Sequence, residues 1–123
     1  MGSVIGIGID IEEVARVFAT PRGLTRVFTP QEIAYCQPKR RCFEHLAARF
    51  AAKEALFKAL GTGLSGKLRW TDVEVRNEPS GKPSITLCGA ARELADEMGV
   101  HAIFVSLSHT RQYAIAQVVL QSA

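Results

Sequence analysis

Sulfur, aromatic rings and long apolar runs are all scarce in this 123-residue chain, and each shortage removes a class of function. Three cysteines, Cys36, Cys42 and Cys88, are an odd number without metal-ligand spacing, which argues against a disulfide framework and against a zinc site. No apolar stretch reaches membrane-spanning length and no signal-peptide pattern opens the chain. Met1-Gly2-Ser3 is not followed by the Ser or Thr at position six that a myristoylation signal needs. A soluble, cytoplasmic protein with no membrane partner is therefore expected. Aromatics make up only 7% of the residues and do not interleave with the basic ones, so a nucleic acid is the weaker kind of anionic partner. Internal repeats, linkers and low-complexity segments are absent too, and residues 1–123 should form one domain large enough to bury its own core.

What is present is a modest positive charge, +3, placed unevenly. Arg16, Arg22, Arg26, Lys39, Arg40, Arg41 and Arg49 gather in the first half, a basic face suited to an acidic protein or a phosphorylated small molecule. Val4 to Ile9 alternates glycine with β-branched residues and reads as a buried strand ending at Asp10, with a short helix from Ile11 to about Phe18. Thr29-Pro30-Gln31-Glu32 has the form of a capping box, which predicts a helix over Pro30 to Cys36. Leu46 to Leu60 holds neither proline nor glycine and predicts a long central helix, stopped by Gly61-Thr62-Gly63. Strands at Thr71–Arg76 and Ser84–Leu87 flank the turn residues 79–83; a helix spans Ala90–Met98; strands at Ile103–Leu107 and Tyr113–Leu120 flank Ser108-His109-Thr110. The expected fold class is α+β, with a mainly antiparallel sheet and a long central helix.

The chemistry starts from Lys53-Glu54-Ala55-Leu56-Phe57-Lys58, which sets a carboxylate and an ammonium one helical turn apart. Leu46, Phe50, Phe57 and Leu60 share an apolar stripe; Glu54 and Lys58 border it beside Ala47 and Ala51, whose small side chains leave room for a ligand. The pair is either a surface ion pair worth about 0.3–0.5 kcal/mol or part of a site. Lys53 falls nearer the apolar stripe, where a snorkelling stem or bonds to backbone carbonyls suit it. Asp10 is either a helix N-cap or a ligand for a hard cation; with Glu54 it would make the two-carboxylate set that Mg²⁺ uses together with phosphate oxygens and waters. Lys58 would then neutralise a phosphate on that metal. Glu12 and Glu13 read as ordinary acids of a first helical turn. Gly61-Thr62-Gly63-Leu64-Ser65-Gly66 matches G-x-G-x-x-G but ends a helix instead of joining a strand to one; it is a helix stop, whose amides could still line a phosphate. His109 is a surface turn histidine or a phosphate or proton contact, with no orienting partner visible, and His45 and His101 carry no signal at all.

Taken in order, Gly6-Ile7-Gly8-Ile9-Asp10-Ile11, Arg26-Val27-Phe28-Thr29, Leu46 through Ala55, Lys58-Ala59, Gly61-Thr62-Gly63, Gly81-Lys82-Pro83 and Val105 through Thr110 resemble the single-repeat bacterial holo-acyl-carrier-protein synthases, a class of the 4′-phosphopantetheinyl transferase family. The resemblance spans nearly the whole chain. It implies the transferase fold of that family, assembled as a homotrimer with sites at subunit boundaries. It implies Mg²⁺-dependent transfer of 4′-phosphopantetheine from coenzyme A to a serine of apo-acyl carrier protein, leaving 3′,5′-ADP, in fatty-acid or polyketide synthesis. Residue by residue, it assigns catalysis to Asp10, Glu54, Lys58 and His109, with Asp10 and Glu54 on the metal and Glu54 or a metal-bound water as the base. It places Arg40, Arg41, Arg49, Lys58, Gly61, Gly63, Gly81, Lys82, Pro83 and His109 around the coenzyme. Arg49 points away from Glu54 on the helix, toward a neighbouring subunit's ligand. Arg16, Arg22 and Arg26 would meet the carrier's acidic helix, although the segment between Phe18 and Thr25 is shorter than is usual in the family. The rival from another class is a non-catalytic basic module holding an acidic protein or RNA.

Overall fold

Alternation of glycine and isoleucine builds the first strand, and it also decides how the rest of the chain packs on it. The computed structural model describes residues 2–18 and 23–123. Its elements are β1 (Val4–Glu13), α1 (Val14–Val17), α2 (Leu24–Val27), α3 (Pro30–Cys36), α4 (Cys42–Ala59), a single 3₁₀ turn (Trp70–Asp72), β2 (Val73–Asn77), β3 (Pro83–Leu87), α5 (Gly89–Met98), β4 (Val100–His109) and β5 (Tyr113–Ser122). Two antiparallel sheets result, one in the order β1-β5-β4 and one formed by β2 and β3. The α+β expectation holds.

Helix α4 lies across the larger sheet and fills the middle of the molecule. Gly6 and Gly8 face it so closely that a Cβ on Gly8 would lie 1.8 Å from the Ala55 carbonyl oxygen, and one on Gly6 2.4 Å from that of Ala59. Ala47, Ala48, Ala51, Ala52 and Ala55 are all buried on α4. Here the structure corrects a reading of the sequence: Ala47 and Ala51 leave no room for a ligand, because both are completely buried in the packing around α4. Leu46, Phe50 and Phe57 are buried as well, and Phe50 and Phe57 pack against Trp70.

Lys53 is fully buried, bridging the layers through bonds to the carbonyls of Val27 (2.8 Å), Trp70 (3.0 Å) and Val73 (2.6 Å) and an ion pair with Glu32 at 2.8 Å. Burial lowers its pKa, opposed by the Glu32 carboxylate. Glu32 completes the expected capping box, accepting from Thr29 N at 2.9 Å while its own N–H donates to Thr29 Oγ1 at 3.2 Å. Its second oxygen accepts from Val75 N at 2.8 Å.

Several boundaries move for a physical reason. Asp10 does not end a strand, since β1 pairs with β5 as far as Glu13↔Tyr113 and leaves only Val14–Val17 to a helix. The N-cap reading of Asp10 falls with it. Trp70–Asp72 turns before β2 begins, and β4 extends to His109, which is the last strand residue and not part of the turn. Gly61 and Gly63 adopt φ of 82° and 61° and donate their amides to the carbonyls of Lys58 and Phe57, so they do stop α4. No helix among the described residues is long and apolar enough to cross a membrane.

Candidate active site

Strand alternation carries Gly8, Asp10 and Glu12 to the α4 side of β1, while Glu13 is exposed. On α4, Glu54 projects toward the same place. Carboxylate oxygens of Asp10, Glu12 and Glu54 all come within 4.8 Å of one another. Asp10 is 8% exposed; its Oδ1 accepts from Lys58 Nζ at 2.9 Å, and its buried Oδ2 has no hydrogen-bond partner. Lys58 also donates to the Ile9 carbonyl at 3.1 Å. The lysine is thus tied across elements, to β1, and not spent only within its own helix.

The charges confirm how crowded the cluster is. Burial pushes the Glu12 carboxyl up from its ordinary 4.5 to about 8, helped by its hydrogen bond to Asp10 and the charges of Asp10 and Glu54, with Lys58 pulling the other way. The hydrogen bond to Asp10 raises Lys58, against partial desolvation. Three converging carboxylates, one of them buried with an unused lone pair, form an all-oxygen donor set of the kind a hard divalent cation takes. Sequence reasoning missed Glu12 because it placed this residue in a helix. The usable signal was its i, i+2 spacing from Asp10, which puts both on one face once the strand is known to continue.

A second group of expected residues meets elsewhere. His45, Ala48 and Arg49 of α4, Tyr35, Asn77, Gly81, Lys82, Pro83 and His109 line a cavity of 420 Å³. Arg49 is buried, donates from Nη2 to Asn77 Oδ1, stacks 4.4 Å above the Tyr35 ring, and keeps a buried Nε with no partner. Asn77 in turn donates to the Gly81 carbonyl at 3.0 Å. His109 Nδ1 lies 2.9 Å from Glu44 Oε1, with the His45 ring 4.9 Å away, edge-on. Burial lowers the His45 pKa, reinforced by His109, Arg49 and Lys39. Tyr35, Asn77 and Glu44 carried no sequence signal, since each acts through a partner far along the chain. Arg40 and Arg41 stay outside this lining; Arg41 Nε sits 3.7 Å from Glu44 Oε2.

One chain does not bring the two groups together. At about 100° per residue, Glu54 and Lys58 project some 140–180° away from His45 and Arg49 around α4. The quartet Asp10, Glu54, Lys58 and His109 is therefore split, three on one flank of the helix and His109 on the other.

Beside the carboxylates opens a 510 Å³ cavity lined by Ile11, Glu12, Glu13, Arg16, Val17, Phe50, Glu54, Trp70 and Tyr113. Arg16 thus borders the carboxylate cluster. Arg26 stands in the last turn of α2, near the exposed Leu24. Phe18 and the exposed Phe43 stack at 4.7 Å. Arg22 lies outside the described residues, as does most of the segment after Phe18.

Residues 6–118 match the family model of the 4′-phosphopantetheinyl transferase superfamily. A holo-[acyl-carrier-protein] synthase of Moorella thermoacetica is 50% identical over 120 residues, covering 94% of this chain and 93% of that one. Its counterpart from Koribacter versatilis is 46% identical over 123 residues, covering 96% and 98%. Among solved structures, the holo-(acyl-carrier-protein) synthase of Bacillus anthracis in complex with CoA (3′,5′-ADP) superposes with a TM-score of 0.82 at 36% identity, covering 98% of each chain.

Proposed function

The chain belongs to the 4′-phosphopantetheinyl transferase superfamily, and from that premise we propose that it is a holo-acyl-carrier-protein synthase, moving 4′-phosphopantetheine from coenzyme A to a serine of an apo-acyl carrier protein in the cytoplasm, for fatty-acid or polyketide synthesis. The observation that carries this reading is the Asp10, Glu12 and Glu54 cluster with Lys58 bonded beside it.

Asp10 and Glu54, joined by Glu12, would hold Mg²⁺, which when bound supplies positive charge for the coenzyme's pyrophosphate. Lys58 adds a second positive charge there. The serine hydroxyl oxygen forms a bond to the phosphorus that bears the pantetheine arm. The bridging P–O bond of the pyrophosphate breaks, its electron pair leaves on 3′,5′-ADP, and the serine proton passes to the carboxylate cluster. The coenzyme's nucleotide end would occupy the other cavity, where Arg49 and Lys82 supply positive charge and His109 joins the Gly81-Lys82-Pro83 turn in the lining. Gly61 and Gly63 leave open space on the turn that follows Lys58.

Because these halves sit on opposite flanks of α4, we assign the complete site to a boundary between copies, in a homotrimer. The outer sheet face supports this: Ile7 is 62%, Ile9 55%, Ile11 62% and Phe104 49% exposed, an apolar surface suited to packing about an axis. Arg16 and Arg26 would meet the carrier's acidic surface, and added salt should weaken that encounter. Incubation with coenzyme A, Mg²⁺ and apo-carrier protein, followed by mass spectrometry, tests the reading. Gain of one phosphopantetheine is expected; folded protein that modifies no carrier overturns it.

A further inference from the structure

His109 is the last residue of β4, so its backbone is fixed by pairing with Ala114, but its ring remains free to turn about two side-chain bonds. Glu44 stands in the first turn of α4, its side chain only 9% exposed, and brings Oε1 to 2.9 Å from His109 Nδ1 across 65 residues of sequence. An ionised carboxylate only accepts, so the nitrogen facing it must carry the proton. That leaves Nε2 as the one ring atom available to the 420 Å³ cavity that His109 lines. Two neighbours reinforce the arrangement. Arg41 Nε, 3.7 Å from Glu44 Oε2, holds the carboxylate from behind, and the His45 ring packs edge-on against His109 at 4.9 Å.

We propose that Glu44 is a positioning residue for the transfer reaction: it holds the Nδ1–H edge of His109 and so turns Nε2 into the cavity, where, once protonated, it donates to a phosphate oxygen of coenzyme A. The proposal rests on reading that cavity as the coenzyme's nucleotide site. An Nε2 contact with phosphate requires Nε2–H as well as Nδ1–H, and Glu44 balances the positive charge of the ring in that state. Arg49 and Lys82, on the same lining, make the cavity a place for an anion. An acid in the first turn of α4 would also favour the helix N-terminus through the macrodipole, so the test needs readouts that a helix-stabilising role does not move.

Long-range ¹H–¹⁵N spectra of the whole protein read the tautomer directly. Without coenzyme, the neutral ring of His109 in the unaltered chain should carry its proton on Nδ1; in Glu44→Ala it should shift to the Nε2–H form. The same variant should raise KM for coenzyme A about tenfold, the worth of one charge-assisted hydrogen bond, while kcat changes less than about threefold. Glu44→Gln, isosteric and still able to accept from Nδ1–H, should keep the Nδ1–H tautomer and restore part of the affinity, the rest going with the charge it cannot balance. His109→Ala should show the same KM defect, and adding Glu44→Ala to it should cost nothing more. An unchanged His109 spectrum in Glu44→Ala, or in Glu44→Leu should the alanine variant not fold, overturns the positioning role. A Glu44→Ala defect that persists undiminished in the His109→Ala background overturns it too. His109→Ala with unaltered affinity for coenzyme A instead removes the cavity from the coenzyme site and takes the proposal with it.

Discussion

Asp10 differs from its two carboxylate neighbours in being almost completely buried, with Lys58 bonded to one oxygen and the Glu12 carboxyl, pushed toward its protonated form, hydrogen-bonded beside it. A position like that is costly unless a cation uses it. Asp10→Ala and Glu54→Ala should each lower transfer at least about a hundredfold while the far-ultraviolet circular dichroism stays native; an active, folded variant at either position removes it from the metal site. Glu12 offers a prediction with a definite sign. Its pKa is about 8 in the folded protein against an ordinary 4.5, so between those values the folded chain binds the extra proton and the unfolded chain does not. Stability is therefore complete at the acidic end and is lost as pH rises toward 8. Denaturant melts at pH 5 and pH 8 should show that loss, and Glu12→Gln or saturating Mg²⁺ should flatten it. A slope equal in all three samples would contradict the cluster's electrostatics.

At the scale of elements, β1 and α4 hold the site because nothing separates them. A methyl group on Gly8 would have to share space with the Ala55 carbonyl, 1.8 Å away, and neither is a flexible side chain. Gly8→Ala should cost about 1–3 kcal/mol or more through overpacking, and should weaken Mg²⁺ binding as well, since Asp10 and Glu54 ride on the two elements it forces apart. A titration of metal into the folded variant checks the second effect. Lys53 supports the same helix from the other side. Lys53→Ala leaves Glu32 buried without its cation, and a loss of about 3–5 kcal/mol is expected in chemical denaturation. How legible all this was in the sequence varies with range. The capping box at Thr29 and Glu32, the helix stop at Gly61 and the backbone-bonding role of Lys53 are set by residues a turn or less apart or by a helical wheel, and they read correctly. Glu12 was misplaced because β1 is prolonged by its pairing with β5, a partner about a hundred residues away that no local pattern announces. Glu44 escaped for the same reason, being joined to His109 only by the packing of α4 on the sheet.

The whole molecule raises a question of stoichiometry, because the carboxylate cluster and the His109 cavity lie on opposite flanks of α4. If one chain supplied a complete site, a variant lacking either half would stay inactive whatever it was mixed with. If each site takes its carboxylates from one copy and its histidine cavity from the next, two impaired variants can rescue each other. Glu54→Ala and His109→Ala chains, unfolded together in equal amounts and refolded, would assemble at random into closed trimers. Each site then draws an intact carboxylate set with a chance of one half and an intact cavity with a chance of one half, so about a quarter of the sites should be whole. With coenzyme A held far below its KM, transfer near that fraction of the unaltered protein is expected from the mixture, against about a tenth from His109→Ala refolded alone and about a hundredth or less from Glu54→Ala. The exposed isoleucines of β1 supply the control: Ile9→Asp places a charge on the apolar sheet face and should hold the chains as monomers by sedimentation, abolishing rescue even though each chain keeps its own fold. Rescue that survives in monomers, or a mixture no more active than the average of its components, would return the complete site to a single chain.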